Sequence, residues 1–443
     1  MRCKIALTAL AVTVAAALHT PAFAEDLMDI YKEAYVKDPV VLQAKANRET
    51  AFAAIDEATA ALLPQIDIVG SLAANHTSTL ASGIRGDART ASAGINLSQA
   101  LWRHSSWASR SIAQKTAAQQ DLVYNDALQN LIMRTATAYF NILSARDSLT
   151  FSKAYQEALR TQLNEATRRF QVGLIAETDQ LQAQADYDLS TAQVIAAENN
   201  LINSYEELRQ LIGRTTSDLA ELDAKRFSPS PVQRSRQNIL QQAEDNNLSL
   251  QAAVIGRDIA KDNITLAMTG HEPTLDLVGS LSTSYSDYKD EVAGAQEDGN
   301  YHEGTIGITL NLPVFHGGAV SSQVEQAEQQ YVAASEQLEL THRTVVSDVN
   351  NGYNNVNAAI SSVRAYEQLV KSARSSLDSV KAGYEVGTRT MSDVLDATQS
   401  FYNAQQNLSA ARYNYIISRL SLLYTQGSLT VQDLQSVNAG LRK

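Results

Sequence analysis

Cysteine is almost missing from this 443-residue chain: Cys3 is the only one. It lies in a leading stretch with Arg2 and Lys4 at its start, an apolar run from Ile5 to Leu18, and Ala22-Phe23-Ala24 before Glu25. That order is a secretory signal, predicted over residues 1–24, and its apolar run is too short for the ~20 residues of a membrane-spanning helix. The mature chain is therefore expected to hold no disulfide and no thiol chemistry. No later stretch of about 20 apolar residues exists either, which excludes a transmembrane helix. Positive charge is in deficit as well: Lys and Arg number 36 against 48 Asp and Glu, giving −12, or −14 once Arg2 and Lys4 leave. An acidic chain lacks the basic surface that nucleic acid requires. The seven histidines are scattered, and His271-Glu272-Pro273 lacks the second histidine of a zinc-protease helix. No serine or histidine sits in a hydrolase motif, and no glycine pattern could cradle phosphate. Neither an enzyme nor a cofactor is expected.

What is present is written twice. Ile66-Asp67-Ile68-Val69-Gly70-Ser71-Leu72 returns 209 residues later as Leu275-Asp276-Leu277-Val278-Gly279-Ser280-Leu281, each copy shortly after a proline, Pro64 or Pro273. Phe170-Gln171-Val172-Gly173 and Asp179 return at a spacing of 214 as Tyr384-Glu385-Val386-Gly387 and Asp393. A duplication of this kind builds a pseudo-symmetric object from two halves that neither could close alone. The first repeat, 25–227, predicts a helix over 26–62, strands over 64–80 and 90–102, a long helix over 105–171 and a helix over 180–212. The second, 228–443, predicts a helix over 238–270, strands over 273–287 and 303–315, a long helix over 319–386 and a helix over 391–426. Segments 214–245 and 427–443, with Ser228-Pro229-Ser230-Pro231, read as an irregular belt.

In the strands the hydrophobic period is two. Ile66, Ile68 and Leu72 alternate with Asp67 and Ser71, and Ile306, Ile308, Leu310, Leu312 and Val314 alternate with Thr309 and Asn311. Such a pattern fits a half-buried sheet on a soluble core or a membrane barrel with lipid on one face and a lumen on the other. The polar faces of Asp, Asn, Ser and Thr favour the barrel. So does the clustering of Trp102, Trp107 and Phe315 where the strand pairs end. Four strands cannot close a barrel, since the smallest have about eight. A homotrimer would supply twelve and remove the open edges. Residues 105–171 hold no proline or glycine and repeat apolar positions at three and four. At about 1.5 Å per residue each long helix would run on the order of 100 Å. The two shorter helices of each repeat, stacked end to end, match that length, so three chains give twelve helical columns.

The informative polar cluster is Tyr384-Glu385-Val386-Gly387-Thr388-Arg389-Thr390-Met391-Ser392-Asp393-Val394-Leu395-Asp396. Gly387 permits a reversal between helices, and Asp393 and Asp396 share a face of the next helix's first turn. Helix capping accounts for Thr178-Asp179 and Ser392-Asp393. It accounts less well for Asp396, because Gln182 holds that place in the first copy. In a trimer Asp393 and Asp396 would form two rings of three carboxylates, which select cations and narrow a pore.

With these residues, and with Thr135-Ala136-Thr137-Ala138-Tyr139-Phe140-Asn141, Arg169-Phe170-Gln171-Val172-Gly173-Leu174, Val386-Gly387-Thr388-Arg389-Thr390 and Val394-Leu395-Asp396-Ala397-Thr398, the chain resembles the outer membrane factor family of Gram-negative efflux channels over nearly its whole mature length. The resemblance implies an α+β membrane protein: a trimeric 12-stranded β-barrel in the outer membrane, four strands per chain, continued by a 12-helix periplasmic tunnel with a mixed equatorial belt. It implies an exit duct for tripartite efflux and type I secretion, closed at its periplasmic tip until a partner engages it. The partners implied are a periplasmic adaptor (membrane fusion) protein, an inner-membrane transporter of RND, ABC or MFS type, and outer-membrane lipid. It also implies site roles. Asp393 and Asp396 would form the pore constriction. Arg389 would bond to Thr178 and Asp179, with Tyr384 reaching Asp179, as a gate latch. Val172-Gly173-Leu174 and Val386-Gly387-Thr388 would meet the adaptor. One departure is Lys381, at a place where the family carries an acid paired with the counterpart of Gln162, so that link does not carry over. A non-channel helical scaffold or surface adhesin is the alternative, and it would appear in the soluble fraction.

Overall fold

A computed structural model describes residues 24–78, 85–216, 218–224, 226–288 and 299–442. The expected signal, and the centres of the loops expected near 76–90 and 286–302, lie outside the described residues. The chain divides into two compact units, and each draws on both halves of the sequence. One holds the described residues to Gln43 with Asp126–Asn247 and Thr344–Lys443; the other holds Ala44–Asn125 and Leu248–Arg343.

The second unit carries a four-stranded antiparallel sheet in the order β1 (Gln65–Ser78), β2 (Arg85–Trp102), β4 (Thr274–Tyr288), β5 (Gly299–Asn311). Its register sorts the side chains by face. Ile68 lies opposite Ile95, and Ile95 opposite Leu281. Leu277 faces Ile308 and Leu275 faces Leu310. One face is therefore a continuous aliphatic surface, and it is bare: Ile68 is 81% exposed, Leu72 89% and Ile306 79%. On the other face Asp67, Asn96, Ser280 and Thr305 make a polar row, and Ser280 and Thr305 share a hydrogen bond of 2.7 Å. Strands β1 and β5 each have only one neighbour in the chain, leaving two rows of backbone donors and acceptors open. At the sheet's root, Arg103 donates to both oxygens of Asp276 (2.9 and 2.8 Å). His104 pairs with Glu272 at 2.8 Å. Both contacts fix where strand gives way to helix.

The long helices form as the pattern predicts, α3 over His104–Gln171 and α7 over Ala319–Glu385. Their shorter companions differ from the sequence reading. Where one helix is predicted over 26–62, the structure has α1 (Leu27–Lys37) and α2 (Pro39–Ala60), and over 238–270 it has α5 (Arg236–Asn246) and α6 (Leu248–Met268) with a closing turn of 3₁₀-helix. Pro39 accounts for the first break, since it excludes helical geometry at Asp38, whose ψ is 120°. The carboxylate of Asp38 then accepts from the backbone N–H of Val41 at 3.0 Å and caps α2. It also receives both ends of the Arg134 guanidinium, at 2.8 and 3.0 Å. Asn247, 209 residues later, breaks the second helix without a proline. Its ψ is 121°, and its amide donates to the carbonyl of Thr425 at 3.0 Å, an orphan acceptor at the end of α8 (Met391–Thr425).

The first unit is built around one segment of α3. Tyr139, Phe140, Ile142 and Leu143 are fully buried, with Leu27, Ile30, Leu208 of α4 (Glu177–Ile212) and Leu219. Tyr139 donates to the carbonyl of Ala220 at 2.7 Å, and Phe140 stacks on Tyr413. The belt predicted as irregular is more regular than that. Leu219 and Ala220 are buried, β3 (Glu221–Leu222) pairs with β6 (Leu441–Arg442), and α9 (Val431–Asn438) opens with a Thr430–Asp433 capping box. Asn438 then binds Asp26 and the N–H of Met28, tying the last helix to the first.

Asp38 is the junction most exposed to test. Burial raises its pKa, but the Arg134 hydrogen bonds and the Val41 N–H outweigh it, so the net shift is downward. A lowered folded pKa means a contribution present above the unfolded value of about 4 and lost as pH falls through the lower folded value. Asp38→Ala should cost about 3 kcal/mol, by leaving Arg134 unpaired and α2 uncapped. Chemical denaturation near neutral pH should show the full cost, and the gap to wild type should narrow on acidification.

Candidate functional site at the helical tips

Two reversals, one per repeat, face the same chemistry. In the first, α3 ends at Gln171 and Gly173 takes φ 73°. Leu174 N–H reaches the carbonyl of Arg169 at 2.8 Å and Gly173 N–H that of Phe170 at 2.9 Å. In the second, α7 ends at Glu385 and Gly387 takes φ 79°, with Thr388 N–H on Gly383 (2.9 Å) and Gly387 N–H on Tyr384 (3.1 Å). These are left-handed helix caps that only glycine adopts without strain. Around each turn the apolar side chains are bare: Val172 70%, Leu174 73% and Val386 74% exposed. Thr388 hydrogen-bonds back to Gly383.

The helices behind the turns share a core. Leu159 and Ala166 of α3, Ala183 of α4, and Met391, Val394 and Leu395 of α8 are buried together, with Ile175 and Tyr384 packed against them. The two tips are thus one packed body, and its polar residues are brought close by that core.

Asp393 and Asp396 lie on the first turns of α8. Asp393 completes a capping box: its Oδ2 accepts from the N–H and hydroxyl of Thr390, both at 2.9 Å, while its own N–H donates to Thr390 Oγ1 at 3.2 Å. Those bonds, with a smaller contribution from the Arg389 charge, hold its carboxyl below the usual range. Asp396 is exposed and makes no hydrogen bond among the described residues. Its charge, after burial and Asp186, helps push the Tyr155 phenol up to about 12. The first repeat lacks the matching cap: Ala176 precedes α4 with no side-chain bond, and Glu177 and Asp179 occupy its first turn.

Tyr384 is the most constrained latch residue. Its hydroxyl is buried and has no partner, and the Arg169 guanidinium sits 4.5 Å from its ring centroid. Burial raises its pKa, Arg169 opposes this, and Glu165 and Asp179 add to the rise. Asp179 is therefore within electrostatic reach of Tyr384, but among the described residues no hydrogen bond joins them within one chain. None joins Arg389 to Thr178 or Asp179 either. Thr178 and Arg389 are exposed. Arg389 folds back over Gly383, where a Cβ would come within 2.7 Å of its Cγ. The sequence reading missed Arg169 over Tyr384. It also missed Gln162, 7% exposed, donating to Thr398 at 2.9 Å. No local spacing signals either contact. No cluster able to hold a metal occurs among the described residues.

Comparison with known proteins places this geometry. A family model described as outer membrane efflux protein matches residues 30–214 and 239–428. The outer membrane protein TolC of Vibrio cholerae is 44% identical over 425 residues, spanning 96% of each chain. The alkaline protease secretion protein AprF of Pseudomonas aeruginosa is 28% identical over 436 residues, 95% of this chain and 88% of that one. Among solved structures the CmeC outer membrane channel of Campylobacter jejuni superposes with a TM-score of 0.78 at 19% identity, over 94% of this chain and 90% of its own.

Capping and any further role of the two carboxylates separate experimentally. Asp393→Ala should speed hydrogen exchange in the first turn of α8 about fivefold, the worth of one cap. Asp396→Ala should leave that exchange at the wild-type rate.

Proposed function

The chain belongs to the outer membrane efflux protein family and is an outer-membrane exit duct for efflux and type I secretion, and we propose that the helical tips are its gate. The family is one of channels rather than enzymes. The observation that carries the duct is the sheet: one aliphatic face fully bare, one polar face, and both edges open. Within hydrocarbon every backbone group needs a partner, so an open edge is untenable and only a closed barrel satisfies it. Three copies, each giving four strands, close one twelve-stranded barrel with aliphatic side chains toward lipid and the Asp67–Asn96–Ser280–Thr305 row toward water. The helices continue the duct into the periplasm.

The duct supplies no energy of its own, so it works with a periplasmic adaptor and an inner-membrane transporter. We assign the transporter to the RND, ABC or MFS classes. The bare apolar turns at Val172-Gly173-Leu174 and Val386-Gly387-Thr388 are the adaptor-docking surface, since rigid turns presenting apolar side chains at a tip have nothing in their own chain to cover them. In the closed trimer Asp393 and Asp396 face the axis as the constriction. Arg389 bonds Thr178 and Asp179, and Tyr384 turns its unpartnered hydroxyl to Asp179. Adaptor docking competes with these ties, and the tips repack outward.

Planar-bilayer recording tests the gate. Arg389→Ser, and more so Arg389→Ser with Tyr384→Phe, should raise single-channel conductance severalfold; unchanged values sink the latch. Asp393→Ala with Asp396→Ala should move the reversal potential in a salt gradient toward zero, and a fixed potential would leave the carboxylates as caps alone. The duct itself fails if the wild-type protein is recovered as a soluble species without detergent-resistant trimers.

A further inference from the structure

Near the tips, α3 and α7 enclose a cavity of about 300 Å³ with Gln162, Glu165, Lys381, Tyr384 and Glu385 in its wall. It holds two orphans. Gln162 Oε1 and Tyr384 Oη are both buried and neither has a hydrogen-bond partner. The Gln162 amide cannot relieve this by turning over. Thr398 spends its single hydroxyl hydrogen on the carbonyl of Val394 at 2.7 Å, so toward Gln162 it can only accept, and the amide must present Nε2 to it. That leaves Oε1 aimed into the cavity as an acceptor in want of a donor, an omission that costs on the order of 1–3 kcal/mol in a buried setting.

One side chain on this wall is a surplus donor. Lys381 is exposed and makes no hydrogen bond or ion pair among the described residues. It stands three positions before Tyr384, on the same face of α7. Glu165, by contrast, is already committed to Arg169 at 2.6 Å. We propose that Lys381 is a positioning residue of the gate: its ammonium turns into the cavity and donates to both Gln162 Oε1 and Tyr384 Oη, tying α7 to α3 when the tip is closed. The inference rests on the gated-duct reading. Three ammonium hydrogens suffice for both oxygens with one left for water. Glu165 and Glu385 on the same wall offset the cost of drawing the charge inward. A phenol oxygen that accepts from Lys381 keeps its own hydrogen for Asp179, so this tie and the latch support one another.

Single-channel recording and hydrogen exchange on the trimer test the tie together. Lys381→Met and Gln162→Met should each raise the open fraction about fivefold per protomer, the worth of one charge-assisted hydrogen bond. The double variant should rise no further than either single, and Lys381→Arg should remain at wild type. Singles without effect, or singles whose effects multiply in the double, overturn the tie. Exchange over residues 378–386 in detergent keeps the two readings apart. If no channel forms yet Lys381→Met still accelerates exchange there, the tie stands and the duct falls. A channel-forming protein whose exchange is unmoved by Lys381→Met overturns the tie.

Discussion

Hydrocarbon offers no partner to a peptide group, and the rest of this molecule follows from that constraint. Four strands with an aliphatic face and two open edges have one stable solution in lipid, which is to borrow the missing neighbours from further copies. Closure by identical chains fixes cyclic symmetry, and cyclic symmetry fixes that whatever the helices carry below the membrane is repeated around one axis. The duplication within each chain halves the angular step again. A duct is what such an arrangement encloses.

Below the membrane the demands change from satisfaction to reversibility. The core of the first unit is held by fully buried contacts, such as Tyr139 on Ala220 and Phe140 against Tyr413. The tips are held by exposed turns, single caps and a tyrosine hydroxyl still lacking a partner. Interactions of that second kind are individually modest where solvent reaches them, which suits a part that must open under the load of a docking partner. Stability is concentrated where nothing moves and withheld where something does.

The strands were legible in the sequence because a period of two, with both faces chemically distinct, fits a strand and does not fit a helix. The long helices were legible because α3 lacks proline and glycine altogether. The break at Asp38 had a sequence signal, the following proline, which an Ala-rich helical pattern on both sides obscured. The break at Asn247 had none: it depends on an orphan carbonyl at Thr425, at the far end of another helix. The short helix α9 announced itself through Thr430 and Asp433, a capping box inside a segment dismissed as irregular. At the tips, Gly173, Gly387 and the Asp393 cap could be reasoned locally. The stacking of Arg169 on Tyr384 and the locked amide of Gln162 could not, because each depends on which residues of distant segments the shared core presses together.

The capping box at Asp393 bears on permeation as well. Oδ2 is occupied by Thr390 twice over, so only Oδ1 is left to meet an ion. A carboxylate restricted in this way binds a passing cation monodentately and cannot strip it of much of its hydration shell. In the proposed ring, three such single oxygens would attract cations while leaving them mobile, which is the compromise that conduction needs. Freed from its cap, the same aspartate would be a chelator, and a duct lined by chelators would clog on divalent ions. The threonine that starts the helix thus keeps the constriction a sieve and not a trap.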